Sequence, residues 1–168
     1  MGAIETGALN GDQAPDDRLR RLGIVLPPPP KPIANFVPYV QEGNLLFLSG
    51  QGPVEQGGLR HMGKVGYTVT TQQAYEHARI TGINLLAVLQ DALGSLRRVK
   101  RIVKLLGMVN AAPDFSEHPL VINGCSDLLV SVFGDTIGRH ARSAVGMNSL
   151  PGQITVEVEL IVALHDTA

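Results

Sequence analysis

The chain predicts an α+β fold, with a mixed or antiparallel sheet carrying two helices on one face. Two long segments place apolar or small residues at helical spacing and stop on glycine. Other segments read as strands, the last alternating apolar and polar residues with period two. Their order, β-β, then α-β-α-β-β with one further short strand possible after the first pair, builds a two-layer domain.

The elements follow in chain order. Residues 1–17, rich in Gly, Ala and acids, read as a flexible tail, leaving 18–168 as a single domain. A short amphipathic helix spans 16–22, overlapping the end of that tail, and stops at Gly23. Pro27, Pro28, Pro29, Pro30, Lys31 and Pro32 enforce an extended strap, 27–32, across the domain surface; a ligand for a proline-recognising domain is the alternative. Strands over 36–41 and 44–50 form a hairpin around Glu42 and Gly43, and Gly57-Gly58 marks another turn. Residues 61–69 are irregular or a short strand. Thr70 and Gln73 make a capping box, so a helix starts there and runs to Leu93, ended by Gly94. Its inward stripe is Ala74, Ala78, Thr81, Leu85, Leu89 (or Val88) and Ala92.

A strand follows over 99–110. The basic run Arg97, Arg98, Lys100, Arg101 and Lys104 has no interleaved aromatic to stack bases, and reads as a strand entrance and a solvated sheet edge rather than a nucleic-acid surface. Pro119 opens a second helix that runs to Phe133 and stops at Gly134, with Val121, Cys125, Leu128, Leu129 and Val132 inward. Strands over 142–148 and 154–164 close the domain. On the last, Glu157, Glu159, Ile161 and Ala163 share the face opposite Ile154, Val156, Val158, Leu160, Val162 and Leu164. The apolar residues on that open face suggest packing against other copies of the chain.

Composition bounds the function. At 168 residues and 44% apolar, the chain can bury a core without staples. With 4% aromatics and no tryptophan, that core is aliphatic. A formal net charge of -1 gives no electrostatic footprint for polyphosphates, so a nucleic-acid partner is not expected. Cys125, the one cysteine, cannot form an intramolecular disulfide and reads as a core residue. The first residues lack the basic and apolar regions of a secretory signal, which with the lone thiol points to the cytoplasm. Gly2 and Thr6 loosely match an N-myristoylation pattern, but a single acyl chain needs a second membrane signal and none is evident. No segment reads as apolar enough to cross a membrane.

Phosphate loops, dinucleotide fingerprints, paired cysteines, zinc-binding His-Glu-x-x-His and nucleophile elbows are all absent, so neither cofactor nor metal is expected. The histidines, His61, His77, His118, His140 and His165, are scattered without ligand spacing. What remains is the run His140-Ala141-Arg142-Ser143-Ala144-Val145-Gly146, then Leu150-Pro151, then Val156-Glu157-Val158-Glu159, which puts Arg142 at the start of one strand and Glu157 with Glu159 on another. On one sheet face they would form a polar site, the guanidinium gripping a carboxylate and a glutamate moving a proton. Spacing alone favours the alternative, a structural Arg-Glu ion pair holding two strands together.

Four segments carry a resemblance: Pro38-Tyr39-Val40-Gln41, Leu48-Ser49-Gly50-Gln51, Arg142-Ser143-Ala144-Val145 through Leu150-Pro151, and Val156-Glu157-Val158-Glu159. Together they resemble the Rid family, also called YjgF or endoribonuclease L-PSP, over 35–164. The proline-rich lead and Asn123-Gly124-Cys125-Ser126-Asp127-Leu128-Leu129 resemble a divergent, longer branch. The resemblance implies a chorismate mutase-like two-layer fold and a homotrimer with clefts between subunits. It implies deamination of enamines and imines such as 2-aminoacrylate to 2-oxo acids and ammonia. In that role Arg142 clamps the substrate carboxylate and Glu157 orients water. Tyr39 of the adjacent subunit lines the cleft, Ser49 and Gly50 add contacts, and Asn123 sits near the rim. Such chemistry needs only carboxylate capture and a placed water. Two positions depart from the pattern: Ala144 stands for a usual cysteine and Gly146 for a common glutamate, and segments 56–69 and 112–120 look long. A non-catalytic trimer binding small carboxylates is the alternative, with endoribonuclease activity ranked below it.

Overall fold

The computed structural model describes residues 14–32 and 34–166, so most of the expected tail, and the acylation pattern within it, lie outside the described residues. Where that tail was expected to reach Asp17, helix α1 has already begun: it spans Pro15–Arg21, with proline in its first turn and acids near its N-terminus. Strands β1 (Tyr39–Glu42) and β2 (Leu45–Gln51) form the expected hairpin. Helix α2 spans Thr71–Leu93, capped by the Thr70–Gln73 box and closed by Gly94 at φ 70°. Strand β3 (Val99–Asn110), helix α3 (His118–Gly138), strand β4 (Ala141–Met147) and strand β5 (Val156–Leu164) complete the order. Gly134, at φ 76° and ψ 171°, breaks α3 where the sequence placed its end, and a further turn carries it to Gly138.

The sheet order is β1-β2-β5-β3-β4, antiparallel except for β3 with β4, which are parallel and joined through α3. Arg97 and Arg98 do stand at the entrance to β3, but the reading of the basic run as a sheet edge is corrected: β3 lies inside the sheet, and β1 and β4 are the edges. Lys104 instead donates from its Nζ to Ser143 Oγ on β4 (2.8 Å). Both long helices cover one face. Leu48, Leu105, Leu160 and Val162 point into the layer between sheet and helices, with Leu85, Leu89, Ile122 and Leu129 facing them. Helix α1 docks with Leu19 buried and the Arg18 guanidinium against Gly134.

On length and composition α3 could cross a membrane, contrary to the sequence reading. Within the fold it is a core helix, with Val121, Ile122, Cys125, Leu129 and Val132 fully buried. It packs hard against α2: a Cβ on Gly124 would stand 1.9 Å from the Tyr75 carbonyl oxygen. It also sits low on β3, where a Cβ on Gly107 would meet Ile122 at 2.6 Å. These close approaches set the height of the next residue, Asn123, over the sheet.

Candidate functional site

Arg142 pairs in register with Leu105, a core residue, so its side chain leaves β4 on the helix-covered side. There Nη1 donates to Asn123 Oδ1 (2.8 Å) and to Ser126 Oγ (3.0 Å), and Nη2 reaches the Pro119 carbonyl (3.4 Å). Asn123 and Ser126, one turn apart on α3, face the same way. A guanidinium has five N–H donors. These three bonds leave Nε–H and one N–H of Nη2 without a partner among the described residues.

Behind Ser126 stands His140. Its Nδ1 lies 2.6 Å from the Gly138 carbonyl and its Nε2 lies 3.1 Å from Ser126 Oγ. A carbonyl only accepts, so Nδ1 carries the proton and Nε2 of the neutral ring accepts from Ser126. Burial first, and the Arg142 charge as well, push the His140 pKa down, while its bond to Gly138 opposes them. The chain Arg142–Ser126–His140–Gly138 thus holds the guanidinium in one orientation. Cys125 is the opposite case. Fully buried, its thiol is pushed up to about 12 by desolvation, although the Arg142 charge works the other way. It is a core residue, not a nucleophile.

A second cluster forms at the other side of the sheet. Two residues of β2, Ser49 and Gly50, are accommodated where Leu48 pairs Leu160 and Gln51 pairs Val158, a β-bulge. Gly50 lies so close to Glu157 that a Cβ would stand 2.1 Å from Glu157 Oε1. Ser49 Oγ donates to the Val37 carbonyl (2.6 Å), tying the bulge to the segment that leads into β1. Glu157 is half-buried, and its pKa is raised, mainly by desolvation and then by the neighbouring Glu159 charge. It faces a cavity of about 440 Å3 lined by Phe36, Gly50, Gln51, Ile154, Lys31 and Arg60 among others. Tyr39 stands apart from Glu157: it pairs with Leu48 and packs on the core at edge strand β1.

Arg142 and Glu157 therefore do not share a sheet face, as the sequence reading had it. Arg142 lies under α3 and Glu157 lies on the open side, with β3 between their strands. Nor do they form an ion pair: among the described residues the salt bridges are Arg20–Asp17, His61–Glu55 and Arg139–Asp135. The parity of an edge strand flanked by polar residues is not set by its own pattern, which is why spacing misplaced Arg142. Within one chain the structure brings together Arg142 with Asn123, and Gly50 with Glu157. Ser126 and the Pro119 carbonyl were missed, although the three-residue step from Asn123 to Ser126 was a usable signal, and His140 stood in the run before Arg142 without a role. The histidines are less scattered than they read: His61 and His77 stack with centroids 4.2 Å apart. His61 Nε2 meets Glu55 Oε1 (2.6 Å), and His77 Nδ1 meets Thr155 Oγ1 (3.0 Å). His118 occupies the space a side chain at Gly146 would need, its Nε2 2.4 Å from the position of a Cβ there.

Comparison with known proteins bears on this arrangement. A family model described as "YjgF/chorismate mutase-like, putative endoribonuclease" matches residues 16–164. Protein TCP17 of Trypanosoma cruzi is 45% identical over 148 residues, 88% of this chain and 92% of the relative. The crystal structure of Atu1372 from Agrobacterium tumefaciens, of unknown function, is 43% identical with a TM-score of 0.83, over 90% of this chain and 92% of that one. A Shewanella oneidensis protein under the endoribonuclease description is 35% identical with a TM-score of 0.87, over 90% of this chain and all (100%) of the other. The matched span holds both edge strands, both long helices and both polar clusters, and the chain belongs to the YjgF/chorismate mutase-like family.

Proposed function

We propose that the chain hydrolyses reactive enamines and imines of the 2-aminoacrylate type to 2-oxo acids and ammonia, in clefts between copies of itself. The carrying observation is Arg142. Three bonds from its own chain orient it, while Nε–H and one Nη2–H remain for the two parallel bonds a carboxylate accepts. Arg142 is on edge strand β4, whereas Glu157 is next to the β1-β2 end of the sheet. Docking β4 of one copy near β1 of the next would bring the clusters together, and a closed ring of three, as the family resemblance implies, repeats that contact.

The chemistry is economical. An enamine first gains a proton at its β carbon and loses one from nitrogen to become the imine, whose carbon is electrophilic. Water, held by the Glu157 carboxylate, gives it a proton as the C–O bond forms, and the imine nitrogen is protonated. The C–N bond of the resulting carbinolamine then breaks, and ammonia leaves as the 2-oxo acid forms. A raised Glu157 pKa makes that carboxylate a better base than an ordinary glutamate.

The test generates 2-aminoacrylate with a dehydratase and follows pyruvate release with and without the protein. Acceleration that Arg142→Ala abolishes supports the enzyme. Binding of a small carboxylate without acceleration would instead favour the non-catalytic binder, which the same arginine geometry suits. Cleavage of RNA at modest salt would favour the endoribonuclease of the family description.

A further inference from the structure

The cavity in front of Glu157 is larger than a three-carbon imine needs. At about 440 Å3 it is of the size that holds drug-sized ligands. Its wall is mostly stiff and apolar, from Phe36, Val54, Ile154 and several prolines. Two cations line it as well, Arg60 and Lys31. Each is built in. Arg60 sits in a small hairpin where Val54 bridges Arg60, Glu55 N–H donates to the Leu59 carbonyl and His61 N–H donates to the Pro53 carbonyl. Its guanidinium lies over Gly152, with Nη1 3.7 Å from where a Cβ would stand. Lys31 stands between Pro30 and Pro32, whose rings restrict the backbone on either side of it. Among the described residues neither cation takes part in an ion pair within 4.0 Å or in a side-chain hydrogen bond. Glu157, the carboxylate in the same cavity, is likewise in none of the ion pairs.

We propose that Arg60, assisted by Lys31, recognises a second anionic group on the substrate, so that the preferred substrate is an imine or enamine with an acid at both ends. This inference rests on the carboxylate-gripping role of Arg142 and extends it. One acid would sit on Arg142 of one copy, the reacting carbon near Glu157 of the next, and the far acid on Arg60. A carboxylate and a phosphate group would both satisfy a guanidinium there.

The stable 2-oxo acids that such a reaction releases serve as probes, titrated calorimetrically against the full chain. They are 2-oxoglutarate, 2-oxopentanoate of the same length with one acid fewer, and 3-phosphonopyruvate. The wild type is expected to bind 2-oxoglutarate about tenfold more tightly than 2-oxopentanoate, the scale of one charge-assisted hydrogen bond. Arg60→Gln should remove most of that preference and leave 2-oxopentanoate unchanged; Arg60→Lys, which keeps the charge, should retain part of it. Tighter binding of 3-phosphonopyruvate than of 2-oxoglutarate would assign the second group as a phosphate type, and the reverse order as a carboxylate. Arg60→Gln leaving the preference intact, or weakening both monoacid and diacid equally, overturns the inference. Arg142→Gln should weaken all three probes. If it weakens none while Arg60→Gln still erases the preference, the Arg142 role fails and the second-anion role stands.

Discussion

Gly124→Ala tests whether the contact between α2 and α3 positions the Arg142 site. A Cβ at this position would lie 1.9 Å from the Tyr75 carbonyl oxygen, 2.8 Å from its carbonyl carbon and 3.1 Å from the Arg79 amide nitrogen. All three are backbone atoms, so no side-chain rotation relieves the overlap, and the two helices must part by more than 1 Å. Overpacking of this kind costs about 1–3 kcal/mol, and backbone overlap argues for the upper end. The gain in helix propensity from glycine to alanine offsets about 1 kcal/mol. The net expectation is a loss of about 2 kcal/mol, which for a domain of this size lowers Tm by about 4–8 °C. Thermal and urea unfolding, at matched protein concentration because association shifts apparent stability, measure it. Parting the helices also lifts Asn123 and Ser126 from Arg142, so affinity for a small carboxylate should fall in the folded variant at 25 °C. A variant as stable as the parent, or more so, would show that helix propensity outweighs the overlap and would refute the packing argument.

Protonation supplies two further tests. Burial, chiefly, depresses the His77 pKa to about 4 from 6.5 in the free side chain. The unfolded chain therefore binds the extra proton first, and this contribution to stability is complete above pH 6.5 and lost as pH falls through 4. The shift corresponds to about 3 kcal/mol as a ceiling, and to about half of that once partial solvent access is allowed for. Urea unfolding at pH 7, 5 and 4 should show a shallower pH dependence for His77→Gln than for the parent; parallel slopes would remove His77 from the account. Glu159 helps to raise the Glu157 pKa. If Glu157 acts as base, activity declines as pH falls through that raised pKa, and Glu159→Gln should move the decline to lower pH without abolishing activity. An unmoved acid limb would mean that Glu157 does not set it.

Local chemistry was legible and long-range pairing was not. The Thr70–Gln73 box and Gly94 declared both ends of α2 because each acts within one turn of its own position. The alternation of β5 declared its faces, and the helical stripe of α3 placed Cys125 in the core. In contrast, β3 became an interior strand only because β4 returns parallel to it through α3, a pairing no local pattern announces. Its lysines looked like edge residues, yet Lys104 is met by Ser143 from that returning strand. The candidate site residues divided in the same way. Strand spacing singled out Arg142 and Glu157, and motif resemblance added Asn123 and Gly50, but their separation into two clusters depends on strand order and on the bulge at Ser49 and Gly50. Arg60 and Lys31 gave no signal, since a hairpin and a proline strap bring them to one cavity from 29 residues apart (60 − 31).

In the proposed assembly a working site is divided between two copies of the chain. Mixing Arg142→Ala with Glu157→Gln, after mild dissociation and reassembly, tests it directly through pyruvate release from 2-aminoacrylate. Each variant alone should be inactive. Equal mixing should restore about a quarter of the parental rate, because one cleft in four then draws an intact arginine from one partner and an intact glutamate from the other. A mixture as inactive as its components would contradict the account.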